Sequence, residues 1–487
     1  MFRFLLILVW VVSPVFAEVK DMNQHIRWEP GIPGGIPDVA VKANVRDYGA
    51  VGDGVSDDAA AIQKAIDAVD DGAVFIPAGD YVLKAGLTIN KSVVLRGEGA
   101  GKTRLLFDIT DRTAINISKY DRGEWVDVAS GHDFGSAQIT VTDGSVFHSG
   151  DFVEIKQDND PKVMYTDPKW NESWADPSVG QILTVKSVQG NTLTLDKPLY
   201  IAFRADLHPQ LRTQGFVERA GVEDLYIKLS SKGDPVTIAM RNTAYCWIRN
   251  IESEYTSRNH VGISASYQCE IRDSYFHDSY DYGGGGHGYG VNLGHPVTDC
   301  LIENNIFKHL RHAMLVQVGA CGNVFGYNYS VETESEGKWI PCDVSLHGHF
   351  PSMNLFEGNT VQKIDISDYW GPVGPGNTFL RNRVEAHGFR IMDHSHFQNV
   401  IGNELVDELQ EIDIHDSVDG VFAHGNYVNG ALVWQAGVLD RTIPKSLYLT
   451  EKPNFFGDLE WPITGADLLP NAGKIPAQMR FEEREAH

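Results

Sequence analysis

From residue 246 onward one phrase keeps returning: CWIRNIE, CEIRDSYF, CLIENNIF, NVFGYNYS, NLFEGNTV, NTFLRNRV, NVIGNELV and GVFAHGNYV. Each joins two or three strand-favouring residues, a polar pair with an asparagine, and a second short apolar stretch. Registered on the asparagine, it falls at Asn305, Asn328, Asn359, Asn382, Asn403 and Asn426, in steps of 23, 31, 23, 21 and 23 residues. Short alternating strands at this period, without helical periodicity, fit one coil of a parallel β-solenoid. Leucine-rich repeats have a comparable length, but their leucine spacing is absent. Stacked coils put like side chains about 4.8 Å apart, so the asparagines form a column that satisfies bend backbone and one another.

The cysteines follow the same register. Cys246, Cys269 and Cys300 share a column, with Cys321 one residue off it and Cys342 further on. The column reads as buried, reduced thiols packed as small apolar groups. Two steps carry extra residues just before the same strand of the coil. The first insertion is SYDYGGGGHG and the second is VETESEGKWIP, residues 331 to 341. Insertions on one solenoid face mark a binding face. The glycine run Gly283 to Gly286 is therefore expected to wall a groove and present His287 to it.

The strand after these insertions reads HVGIS, GYGVNLG, HAMLVQV, DVSLHGH, DISDYWG, RIMDHSH and EIDIHDS. His260, His287 and His312 recur just before it. Its outward column is expected to run Asn292, Gln317, His347, Asp368 and Asp393, with His394, His396 and His415 nearby. So many titratable residues on one ledge point to an active groove. Asp368 and Asp393 lie 25 residues apart, about one coil. Two carboxyls about 5 Å apart match the retaining glycosidase spacing, and outward splay widens them toward an inverting pair. Such a pair splits its pKa values into an acid and a base or nucleophile. Asp368, Asp393, His347, His394 and His287 are the expected catalytic residues. Asn292, His312, Gln317, Tyr289, Tyr369, Trp370, Arg390 and His349 are the expected substrate-binding residues.

Upstream, NVRDYGAVGDGVSDDAAAIQKAID (44–67) holds an Asp/Gly-rich turn and a helix over Ala59 to Ala68, with Asp57 or Asp58 as N-cap. The strands GAVFIPAGDYVL and SVVLRGEGAGKTRLLF follow. This stretch resembles the start of the pectate-lyase-like superfamily, which includes polygalacturonases, β-1,3-glucanases and phage tailspikes. The resemblance implies an all-β right-handed parallel β-helix, capped by the helix and acting on carbohydrate. RGEGAGKT is not a P-loop, because Arg96 stands where the first glycine must be.

The expected organisation is a signal peptide (1–17), an N-terminal cap with first coils (18–117), an inserted all-β module (118–215), coils with the groove (216–430) and an extended tail (431–487). Hairpin turns are expected at Asp143-Gly144 and Gly190-Asn191 of the module. Its loop MYTDPKWNESWADP offers Tyr165, Trp170 and Trp174 for packing or for sugar stacking. In the tail, Phe455, Phe456 and Trp461 are expected anchors over the solenoid's open edge. The apolar run Phe4 to Val12, with small residues at Val15 and Ala17, implies export rather than a membrane span.

A net charge of -24 argues against nucleic acid as the main partner. It also disfavours polyanions unless a local basic patch intervenes. The expected partner is thus a polysaccharide or oligosaccharide, cleaved by acid/base hydrolysis. One alternative is a uronate lyase or epimerase using His287, His312, Tyr289, Arg390 and the segment Asp413 to Ser417. Asp413-x-His415 resembles in part the Asp-Pro-His motif of alginate epimerases. The other alternative is a non-catalytic carbohydrate-binding solenoid. Hydrolysis requires no cofactor here; a Ca2+ ion enters only with the lyase alternative.

Overall fold

The computed structural model describes residues 27–164, 167–366, 370–407 and 410–486. The segment read as a signal peptide, together with Tyr165, Asp368 and Tyr369, lies outside the described residues. The chain winds a right-handed parallel β-helix with three sheet faces. The first face runs from Val41–Asn44 to Phe422–His424, and the second from Asp53–Asp57 to Asn426–Val428. The third face runs from Leu87–Ile89 to Ile412–Ile414. Inward side chains of the three faces form one continuous core, in which Phe325, Phe356 and Phe379 stack with ring centroids 4.9 and 5.1 Å apart.

Each coil turns from the first to the second face through one left-handed residue: Asn304, Tyr327, Gly358, Arg381, Gly402 and Gly425 in successive coils. The next residue is the registered asparagine. Its side chain lies inside the bend, where the backbone has left both ladders and its polar groups need partners. Asn359 shows the pattern. Its Nδ2 donates to the Phe325 carbonyl and to Asn382 Oδ1, both at 2.9 Å. Its Oδ1 accepts from the Asn328 backbone N–H at 2.9 Å and from Asn328 Nδ2 at 3.0 Å. The column runs unbroken from Asn305 to Asn426.

A second column stands at the bend from the third to the first face. Cys300 follows left-handed Asp299, and its backbone N–H donates to Asn323 Oδ1 at 2.9 Å. From there the bonds pass through Asn354 and Asn377 to Gln398. The cysteine column is therefore the start of an amide column, and its sulfurs also accept backbone N–H groups, at Ala220 and Cys269. Cys321 stands two residues before the column, not one. All five thiols are free and buried.

The coils on either side of the inserted module stack directly on each other, Val94 on Gly221 and Ile117 on Met240. The module is a seven-stranded antiparallel sheet. Gly190-Asn191 is a hairpin turn between Gly180–Gln189 and Thr192–Leu195. Asp143-Gly144 is not one, because the strands flanking it are not neighbours. Asn191 claims the Gly144 N–H at 3.1 Å, so a turn dipeptide closes a loop instead of a hairpin. The N-terminal helix spans Ala59–Asp67 and buries Ala59, Ile62, Ala65 and Ile66. Asp58 holds the N-cap position but binds the loop, accepting from the Val51 and Gly52 N–H groups, while Asp57 accepts from the Ala59 N–H.

The C-terminal segment lies along the outer surface of the first face, with Leu447 and Tyr448 packed there. Tyr327 gathers the expected anchors: Phe455 and Phe456 pack on its ring, and Trp461 Nε1 donates to its hydroxyl at 2.9 Å. The segment is not extended throughout, for it ends in a helix, Pro476–Glu485, whose Phe481 packs on the second face. Two buried carboxyls grip it. Glu303 accepts from the Tyr448 hydroxyl at 2.8 Å, and Glu357 accepts from the Leu447 N–H at 2.8 Å. Among the described residues no helix is long and apolar enough to cross a membrane.

Two predictions follow from these contacts. Asn359→Ala orphans buried groups on both neighbouring coils and should cost about 2–4 kcal/mol, read from denaturant unfolding. Burial raises Glu303 and Glu357 from the ordinary 4.5 to about 7. Between these values the unfolded chain releases protons that the folded chain keeps, so stability should fall as pH rises from about 4.5 to 7. Melting temperature across that range is the measurement, and Glu303→Gln with Glu357→Gln should flatten the slope.

Candidate functional site

Pairing along the third face sets which side chains share a row. Val291, Met314, Val344, Ile364 and Phe389 pair in sequence and point into the core. The next residues, Asn292, Leu315, Ser345, Asp365 and Arg390, therefore form the central outward row, continued by Asp413. Gln317 and His347 belong to a parallel row two residues on, and Gln317 Nε2 donates to Asn292 Oδ1 at 3.1 Å. The expected single column is thus two. The central position of its later coils is held by Asp365 and Arg390, bonded at 2.6 Å. Asp393 lies just past the strand Phe389–Ile391 in a left-handed conformation.

A cavity of about 800 Å³ opens over this face. Asn292, Ser345, Asp365 and Arg390 line its floor, with Gln317, His347, Met392 and Asp393 beside them. One wall comes from segments that precede the strands and from the strands' first residues: Arg258, Gly285, Gly286, Tyr289, Arg311, His312, Lys338 and Trp339. Both insertions contribute to it. A Cβ on Gly284 would meet the Trp339 ring at 2.3 Å, so that position admits only glycine if the indole is to pack there. The opposite wall follows the strands and holds Trp370 and, from the inserted module, Trp174.

His287 is not in the lining. Its Nδ1 meets the Gly284 carbonyl at 2.7 Å and its Nε2 meets Asp234 at 3.3 Å, so it fastens the glycine loop. Asp234 also takes Arg258 at 2.6 Å, which holds its carboxyl below the ordinary range. The three histidines before the strand do not share a column. His260 pairs one residue out of step with His312, which sends it into the core, where burial lowers its pKa to about 3. His394 and His415 are exposed, and His396 bonds the Asp419 backbone N–H; none lines the cavity. His349 is buried against Trp174, ring centroids 5.4 Å apart, and is likewise outside the lining.

His312 lines the wall as a neutral ring. Burial, then Arg311 and His347, push its pKa well below the ordinary value. Its Nδ1 lies 3.2 Å from the Cys342 carbonyl, and its Nε2 accepts from Arg311 Nε at 3.3 Å. These contacts require the proton on Nδ1. So fixed, His312 steadies Arg311, which donates to the Gly283 carbonyl and, at 3.2 Å, to the Tyr289 hydroxyl.

The lining contains four cations, Arg258, Arg311, Lys338 and Arg390, and two described carboxylates, Asp365 and Asp393. In a chain of net charge -24 this is a local reversal of sign. Asp365 Oδ1 and Arg390 Nε are buried and have no hydrogen-bond partner among the described residues. Buried polar atoms left open at a cavity floor are groups a polar ligand satisfies. Asp365 is legible in the sequence as the outward residue between Ile364 and Ile366, whereas the expected outward column named Asp368 instead. Arg258, Arg311 and Lys338 carry no signal outside the folded loops. Among the described residues no group of three or more His, Cys, Asp or Glu is arranged to hold a metal ion.

Comparison with known proteins places this architecture. The family described as "Rhamnogalacturonase A/epimerase, pectate lyase-like" matches residues 42–149. The solved tailspike gp61 of Pseudomonas phage phi297 superposes with a TM-score of 0.58 at 16% identity, over 79% of this chain and 69% of that one. The chain folds as a right-handed parallel β-helix, and its residues 42–149 match the pectate-lyase-like family. Mannuronan C5-epimerase AlgE5 of Azotobacter vinelandii is 41% identical over 109 residues, which are 20% of this chain and 10% of that protein. Alginate lyase 7 of the same organism is 36% identical over 126 residues, 22% of this chain and 14% of that protein. The chain thus spans only about a tenth of the length of these relatives.

Proposed function

We propose that the protein is a carbohydrate-active enzyme that acts on a uronate-containing polysaccharide by removing the proton on the carbon next to the sugar carboxylate. The observation that carries this reading is the cationic cavity of an otherwise acidic chain, with Arg258, Arg311, Lys338 and Arg390 in its lining. A uronate carboxylate must be neutralised before its neighbouring proton becomes acidic enough to leave. Arg390 does this, held in place by Asp365 and lining the cavity floor. Tyr289, oriented by Arg311, and His347 are the proton donor and acceptor that face the ligand. His312 is a positioning residue. The names of the partial relatives, a mannuronan epimerase and an alginate lyase, support the same first step, since epimerisation and elimination both begin with that proton.

A hydrolytic reading retains one observation, Asp393 in the cavity lining; its expected partner, Asp368, lies outside the described residues. The two readings part in isotopic water. Incubation with polyuronates in deuterium oxide should place deuterium on the carbon next to the carboxylate, or yield an unsaturated, ultraviolet-absorbing product. Arg390→Ala should lower the rate about 100-fold or more. A parallel incubation in heavy-oxygen water that labels a new reducing end, with neither deuterium incorporation nor absorbance in the first, overturns the proposal in favour of the Asp368 and Asp393 pair.

A further inference from the structure

The inserted module does more than interrupt the coil. It is anchored against the third face: Cys321 bonds the Gly180 carbonyl, the Ile182 N–H donates to Thr298 Oγ1 at 3.0 Å, and Gly319 packs on Ser178. From this base, residues 167–178 reach the edge of the cavity. Asp167 caps the short helix Pro168–Trp170, accepting from the Lys169 N–H at 3.0 Å. Asn159 ties the end of the segment, taking the Ser178 N–H at 2.7 Å and donating to the Ala175 carbonyl at 2.8 Å. The segment is therefore capped locally at its start and tied to the module at its end.

Held in this way, it presents tryptophans. Trp170 meets Trp370 edge-on with centroids 4.2 Å apart, and Trp174 meets Trp370 at 6.0 Å and His349 at 5.4 Å. Trp174 lines the cavity and remains 40% exposed, so part of its ring is available to a ligand. Across the floor stands Trp339, on the insertion of the other wall. An indole on each side of a polar, charged floor suits a flat ring with apolar faces and a polar rim, which is the shape of a pyranose.

We infer that residues 167–178 of the inserted module form one wall of the polysaccharide groove, and that Trp174 is a stacking platform for a sugar ring further along the chain than the one held by Arg390 and its direct neighbour. This rests on the reading that the cavity takes a polyuronate. Trp174 is thus a binding and length-selecting residue, separate from the proton-transfer groups. An oligomer long enough to reach from Arg390 to the module gains the stack; a shorter one does not.

The test uses the full chain and its Trp174→Ala and Trp174→Phe variants, titrated by calorimetry with oligouronates of two to eight sugars and with neutral oligoglucosides of the same lengths. Melting temperature serves as the folding control. Wild-type affinity should climb with length. Trp174→Ala should lose about five- to tenfold for the long oligouronates and nothing for the disaccharide, with Trp174→Phe close to wild type. Equal affinities of wild type and Trp174→Ala at every length overturn the platform while leaving the uronate reading standing. A length-dependent loss seen only with neutral oligoglucosides supports the platform and removes the uronate reading. Absence of binding by the wild type to either series overturns both.

Discussion

The bend between faces is the constraint on which everything else rests. A parallel coil must turn three times, and at each turn the backbone leaves its ladder with unpaired groups facing a dry interior. A left-handed residue followed by an inward asparagine solves both problems, because the amide supplies donors and acceptors to the coils on either side. Asparagine has the reach and Cβ geometry for this at a fixed position only, so one coil's length commits the next. Extra residues can then enter only where they do not disturb the columns. The insertions around Gly284 and Trp339 do so before the third-face strands, and the module does so between two coils that stack as if it were absent.

Placing the variable segments around one face turns a repetitive scaffold into a site. The floor is spaced by the strands themselves, so Asp365 and Arg390 face each other across one rung. The walls bring Arg258, Arg311 and Lys338 from three different loops. Surface carboxylates elsewhere set the net charge, yet within a Debye length of about 8–10 Å the cavity's own cations dominate what a ligand meets. A global charge of -24 and the proposed anion-binding role of this groove are compatible for that reason.

Sequence reading succeeded where one residue type repeats in one place. Asn305 to Asn426 could be registered by eye, and the coil length, the insertions and the pectate-lyase-like fold came with them. It failed where the same structural position changes residue type. The second bend column passes from Cys300 to Asn323 to Gln398, and its cysteines alone looked like apolar filler. It also failed where one residue of slip reverses a side chain: His260 and His312 read alike, but one is core and the other faces the groove. Contacts made only in three dimensions left little trace. His287 was visible as a loop histidine, but its bond to Asp234, far away in sequence, decides its role. Trp174 was noticed as an aromatic on a polar loop, and only the docking of the module on the third face gives it a place.

The central claim is that a sugar carboxylate is recognised by the cations of the third-face cavity. The measurement that tests it most directly compares calorimetric binding of a polyuronate with binding of the same polymer after its carboxylates are reduced to alcohols. The account predicts that reduction weakens binding at least about tenfold, and that added salt weakens only the charged polymer. Equal or tighter binding of the neutral polymer, without salt dependence, would contradict it.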